Sequence, residues 1–331
     1  MFKNFRNNYY FGKAGQGDLT PEDMPTTRSQ LFSVTLRTRL PQLIRLNVVY
    51  ALIWIPTLIV LWLMGSVLLN VLGKYFGAAE SAEAAAAVNP ANFWPEIYGA
   101  VDFGLLLLFP CIAITGPFTA GVSYVCRNWS RDEHAFVWSD FKDAVKENWK
   151  QALGVSVITG LVPVAVFIGV RTYHNFAMTN WIFIIPEAIV ALFGVLWALS
   201  VTYMYPLMVS YELSFKNLLR NAFMLGVARL PMSVAVRLLH CVPVLIFAAV
   251  LWLSGLSMTV LSWGPMVLVL WYGLLGLALS RFVTASYTNA VFDRFINSRI
   301  EGAKVNRGLY QEEDVGEPEE TQEQTEQKDV H

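Results

Sequence analysis

The strongest constraint in this sequence is a set of long segments almost free of charge. Residues 47–73 contain no charged side chain, and residues 100–120, 149–170 and 181–209 contain one each. A helix needs about 20 apolar residues to cross a hydrocarbon core of about 30 Å. Several such runs in series mark a chain whose solvent is a bilayer. Composition agrees: the chain is 55% hydrophobic and 15% charged, where soluble domains have about 45–50% and about 25%. The expected fold is all-α, a polytopic transmembrane helical bundle with amphipathic helices on its inner face.

Six spans are predicted, over residues 47–72, 96–120, 149–170, 181–209, 232–253 and 260–284. Only a few residues around Ser254 separate the last two, so a tight hairpin joins them. A five-span chain with one re-entrant segment is the alternative. Basic residues crowd the cytoplasmic loops of membrane proteins. Seven Lys/Arg precede residue 47, five lie in 121–150, four in 216–237 and six from Arg281 onward, against Lys74 and Arg171 alone in the remaining loops. Six spans with both termini cytoplasmic match this alternation, whereas five would expose one basic tail outside.

Residues 1–46 read as a cytoplasmic N-terminal segment ending in an amphipathic lead-in. They lack the n-region, short apolar core and cleavage site of a signal peptide, so the first span is expected to stay as an anchor. The transmembrane domain covers 47–284 and a juxtamembrane helix 285–310. The acidic tail 311–331 has too few apolar residues to fold and is expected to be disordered. The Ala-rich stretch before Pro90 reads as a solvated outer connector containing a short helix.

The inner loops are patterned. Trp138, Phe141, Val145 and Trp149 recur at three- and four-residue spacing, the signature of an amphipathic helix, with Ser139 as its expected N-cap. The segments 139–153 and 213–227 share Phe-Lys followed by a basic residue and Asn, which suggests a repeated unit leading into a span. Gly116 and Ala120, and likewise Gly276 and Ser280, have the spacing that lets helix backbones approach closely. Pro110 and Pro117 bend the second span as it leaves the membrane, and Tyr124 and Arg127 then reach the inner interface.

Enzymatic motifs are missing from the sequence. It contains neither GxSxG nor HExxH, and its four His are isolated. Cys111, Cys126 and Cys241 have no metal-site or disulfide spacing. Gly12, Gly15 and Gly17 follow no strand and read as a flexible tail. No enzyme, cofactor or metal is expected. Charge inside a membrane is costly and marks candidate sites. Asp102 and Glu187 lie at similar depth near the outer side, and His240 lies nearer the inner side. The two carboxylates either flank one cation or proton site or are satisfied separately by Ser, Thr or backbone groups.

The stretch "GPFTAGVSYVCRNWSRDEHAFVWSDFKDAVKENWKQAL", through Gly116, Pro117, Thr119, Ala120, Tyr124, Arg127, Phe141, Lys146 and Asn148, resembles the YesL-like family of bacterial integral membrane proteins. "YELSFKNLLRNAFMLGV" extends the likeness, which covers roughly residues 46–295. The resemblance implies a multi-pass protein of the bacterial cytoplasmic membrane, without an established catalytic set and associated with carbohydrate uptake. The implied function is a non-enzymatic accessory or regulatory component. Its implied partners are the lipid bilayer and a carbohydrate transporter or signalling protein on the inner face, with no nucleic acid. The alternative is a small transporter or channel using Asp102 and Glu187.

Overall fold

A computed structural model describes residues 24–77, 88–255 and 257–310. The Gly12–Gly17 patch, most of the Ala-rich connector and the acidic tail lie outside the described residues. Within them the chain is helical, with no strand. Its helices are α1 (Arg28–Gly77), α2 (Phe93–Trp129), α3 (Val137–Ala177), α4 (Ile184–Met208), α5 (Phe215–Ala228), α6 (Leu230–Leu253), α7 (Met258–Trp271) and α8 (Leu277–Phe295). A π-helical turn, Tyr272–Gly276, joins α7 to α8. Six helices are long and apolar enough to cross a membrane: α1, α2, α3, α4, α6 and the composite α7–α8. The protein is an all-α membrane bundle.

Contacts between helix termini define the two ends of the bundle. Lys74 of α1 meets Glu96 of α2 at 2.6 Å, and Arg171 of α3 meets Asp102 of α2 at 2.6 Å. At the opposite end, Arg28 opens α1 and pairs with Asp293 near the close of α8. We call this second end the basic end, because 127–150, 216–237 and 281–307 bring their Lys and Arg to it.

Several boundaries differ from expectation for local reasons. Residues 28–46 form no separate lead-in, since α1 runs through them into the first span over 50 residues. The amphipathic 139–150 stretch is likewise the first part of α3, as no breaker separates it from its span. Ser139 does not cap that helix. Phe136 occupies the cap position, and its backbone N–H donates to Asp140 Oδ2 at 3.0 Å, while Ser139 bonds Asp143. The second patterned segment does form a separate helix, α5. Ser214 caps it by accepting from Asn217 N, and its buried residues Leu218, Ala222 and Leu225 share one face. Pro231 has no N–H to extend α5, so the chain breaks at Arg229 before α6 begins. The composite last helix passes residue 284 and ends at Phe295. After a 3₁₀ turn at Asn297–Arg299, residues 300–310 carry no helix. The α6–α7 hairpin turns at Gly255, whose φ of 64° suits a residue without Cβ.

The core is concentrated in the basic-end half. One cluster joins Ala120, Ala152, Val155, Tyr203, Met204, Leu207, Leu218 and Phe292. The other joins Leu43, Leu46, Tyr50, Val125, Trp129, Phe141 and Phe282. Toward the far end, large side chains such as Leu52, Trp62, Phe103, Leu106 and Leu192 are exposed, as a lipid-facing surface requires.

Two irregularities inside helices are repaired by neighbouring helices. Pro117 cannot donate to Ala113, one turn back. Ser156 Oγ of α3 donates to that carbonyl at 2.6 Å instead. The helices can come this close because Gly116 faces α3, where a Cβ would stand 2.4 Å from the Ala152 carbonyl oxygen. The second repair is at the π-helical turn. Asn47, fully buried, donates through Nδ2 to the Tyr272 and Gly273 carbonyls at 2.9 and 2.7 Å, and its Oδ1 accepts from Ala278 N at 2.7 Å.

Candidate functional site

The C-terminal ends of α2, α4 and α8 converge at the basic end beside the start of α3. Between α2, the start of α3 and the α4–α5 connection lies a cleft of about 750 Å³, bordered by Tyr124, Asn148, Lys150, Gln151, Tyr211 and Glu212. Gln151 Nε2 holds the α4–α5 connection by donating to the Leu213 carbonyl at 2.7 Å. A smaller cleft of about 240 Å³ adjoins it through Ser210 and Tyr211. Arg127, Arg131, Lys304 and Arg307 line this second space together with Asn289 and Asn297.

Tyr211 forms the wall between the clefts. Its ring stands edge-on to Phe292, with centroids 5.6 Å apart, and its hydroxyl donates to Asn297 Oδ1 at 2.7 Å. Burial, followed by the nearby Asp293 carboxylate, pushes its phenol up to about 12, so it remains a neutral donor at physiological pH. Asn297 in turn donates to Asp293 Oδ1 at 2.6 Å, and Asp293 also takes Arg28 and the Asn306 backbone N–H. This relay ties the α4–α5 connection, α8, the start of α1 and the 300–310 segment into one polar assembly. Tyr310 N closes it by donating to the Pro25 carbonyl at 2.9 Å.

The motif residues have distinct places. Gly116, Pro117 and Ala120 form the tight α2–α3 contact, and Ala120 is fully buried. Tyr124 borders the larger cleft and Arg127 the smaller, with the guanidinium 5.8 Å from the Tyr124 ring centroid. The three intramembrane candidates are not brought to one place. Asp102 Oδ2 pairs with Arg171, which also lies over Tyr98 at 5.3 Å. Glu187 faces His174 at 3.3 Å. Each carboxylate therefore has its own partner on the last turns of α3. His240 stands apart on α6, with Nε2 3.4 Å from Thr284 Oγ1, beside an apolar groove of about 320 Å³ that includes Phe32, Leu36 and Trp271. Among the described residues no three His, Cys, Asp or Glu side chains are placed to hold a metal ion.

Sequence reasoning missed Arg171 and His174 as partners, having counted the first only as a loop charge. It also missed the meeting of Arg131, Lys304, Arg307 and Tyr211. The basic residues stand out in a charge count, but their convergence spans more than half the chain and has no local signature.

Comparison with known proteins supplies a family. The family described as "Protein of unknown function, DUF624" matches residues 49–170. That interval holds the Gly116–Arg127 motif and most of the α2–α3 contact. The chain is also 30% identical over 144 residues to the "Uncharacterized protein YesV" of Bacillus subtilis (strain 168), covering 42% of this chain and 67% of that protein. No solved structure matches.

Proposed function

We propose, from the premise that the chain belongs to the family described as protein of unknown function DUF624, that it is a non-enzymatic accessory or regulatory component of the bacterial cytoplasmic membrane. In this reading both termini and the basic end are cytoplasmic, as the excess of Lys and Arg there favours. The partner class is a carbohydrate uptake system, which is what the YesL-like resemblance implies. One observation carries the reading. The polar clefts and their hydrogen-bonded walls gather at the basic end, while at the far end Asp102 is paired with Arg171 and Glu187 with the imidazole of His174. Such pairing favours a structural role for these carboxylates over a transport site.

Site-specific photocrosslinking in native membranes tests it. A crosslinker replacing exposed Trp138 at the basic end should capture a subunit of a carbohydrate transporter, and one replacing exposed Trp181 at the far end should not. The reading fails if neither position yields such a subunit. It fails equally if the purified protein alone moves a solute into liposomes and Asp102→Asn abolishes that flux.

A further inference from the structure

The smaller basic-end cleft has a charge pattern that helix packing does not account for. Four cations line it: Arg127 from the last turn of α2, Arg131 from the turn that follows, and Lys304 and Arg307 from the segment beyond α8. Among the described residues no carboxylate lines it. The nearest acidic partner is Glu133, which takes Arg307 at 2.5 Å and Arg131 at 3.6 Å. Asp293 is committed to Arg28. Arg127 and Lys304 have no carboxylate partner among the described residues. Arg127 Nε and Ser210 Oγ are inaccessible and lack any hydrogen-bond acceptor or donor there.

Helix ends explain part of this. The C-termini of α2, α4 and α8 meet at the cleft, and each carries a partial negative charge of about one half. Together they offset about 1.5 of the three positive charges left after Glu133 is counted. Roughly 1.5 positive charges then remain, close to the −1.5 to −2 of a phosphomonoester at neutral pH. The volume of about 240 Å³ lies below the ~300–1,000 Å³ of sites for drug-sized ligands and suits a head-group-sized anion.

The wall that carries Lys304 and Arg307 is firmly held. Gly302, Asn306 and Gly308 have φ of 75°, 58° and 80°, which fold the segment back toward α2. A Cβ on Gly308 would stand 2.9 Å from the Arg131 carbonyl oxygen, so the two backbones are in close contact. The cleft is thus built from four separate parts of the chain.

We propose that this cleft binds a phosphate-bearing anion, with Arg127, Arg131 and Lys304 as charged donors. The shared chemistry is the phosphoryl group, offered either by a membrane lipid head group or by a soluble phosphate ester. The site requires no protein partner, so it stands or falls apart from the accessory reading above.

The test uses the full chain in phosphatidylcholine nanodiscs. Inorganic phosphate and glycerol 3-phosphate are titrated at constant ionic strength, with thermal unfolding and calorimetry as readouts. A parallel arm adds phosphatidic acid, whose head group is a phosphomonoester, to the nanodiscs. The expected result is saturable stabilisation in at least one arm. Response to the soluble anions identifies a soluble ester as the source, and response only to phosphatidic acid identifies a lipid head group. Lys304→Gln, in the non-helical segment, should weaken affinity about tenfold or more, the loss for one charge-assisted hydrogen bond. Arg127→Gln should do the same, and Lys142→Gln on exposed α3 should not. No saturable response in any arm, or one equal in Lys304→Gln and wild type, overturns the proposal and leaves the cations as partners of helix ends.

Discussion

Replacing Asn47 should destabilise the protein more than any other single polar substitution in the spans. Its side chain makes three hydrogen bonds of 2.7–2.9 Å to the backbone at Tyr272, Gly273 and Ala278. The two carbonyls lie in the π-helical turn and Ala278 lies just after it, where the helical ladder is interrupted. Hydrogen bonds between membrane helices average about 0.6 kcal/mol and reach about 1.7. Loss of three gives about 2–5 kcal/mol for Asn47→Ala, at the upper end because the position is fully buried. The assay is reversible unfolding of the purified protein in mixed micelles with increasing sodium dodecyl sulfate. Asn47→Asp is the decisive comparison. It keeps the side-chain volume, but above its pKa it offers only acceptors to two carbonyl oxygens. At pH 8 it should therefore be at least as destabilised as Asn47→Ala. An Asp variant near wild-type stability at pH 8, or an Ala variant within about 0.5 kcal/mol of wild type, would refute the assignment of these bonds as the anchor of the π-helical turn.

Two further outcomes follow from the same contacts. Ser156→Ala should cost about 1–3 kcal/mol by orphaning the Ala113 carbonyl; in a Pro117→Ala background, where residue 117 regains an N–H, that cost should shrink in a double-mutant cycle. Arg171→Gln should destabilise the far end by leaving Asp102 charged without its partner, and adding Asp102→Asn should recover part of the loss, again read by detergent unfolding.

Much of the architecture was legible because one physical requirement dominates a membrane span. Uncharged runs of the right length must be helices, and the distribution of Lys and Arg ordered their ends without any knowledge of packing. The contribution of Gly116 and Ala120 to close packing could also be read locally, since small residues four apart on a helix share a face. The continuity of α3 was harder to see. Its amphipathic start and apolar remainder change character near Trp149, but no Pro or Gly breaks the backbone there, so one helix serves both. In the corresponding stretch after α5, Pro231 does impose a break.

The chemistry of individual polar residues was decided by tertiary structure. Asp102 looked like a candidate ion site because its partner lies 69 residues away, on the last turns of an antiparallel neighbour. Asn47 is the first residue of a predicted span, yet it anchors a helical irregularity 225 residues further on. Arg127 could be placed at an interface by its position after Gly116-Pro117, but not beside Lys304 and Arg307. Hydropathy and charge are properties that each segment carries alone, so the amino-acid order determines span and lipid-facing surface. A hydrogen bond or an ion pair needs two groups within about 3 Å, and only the packing of α1, α2, α4 and α8 brings those groups together.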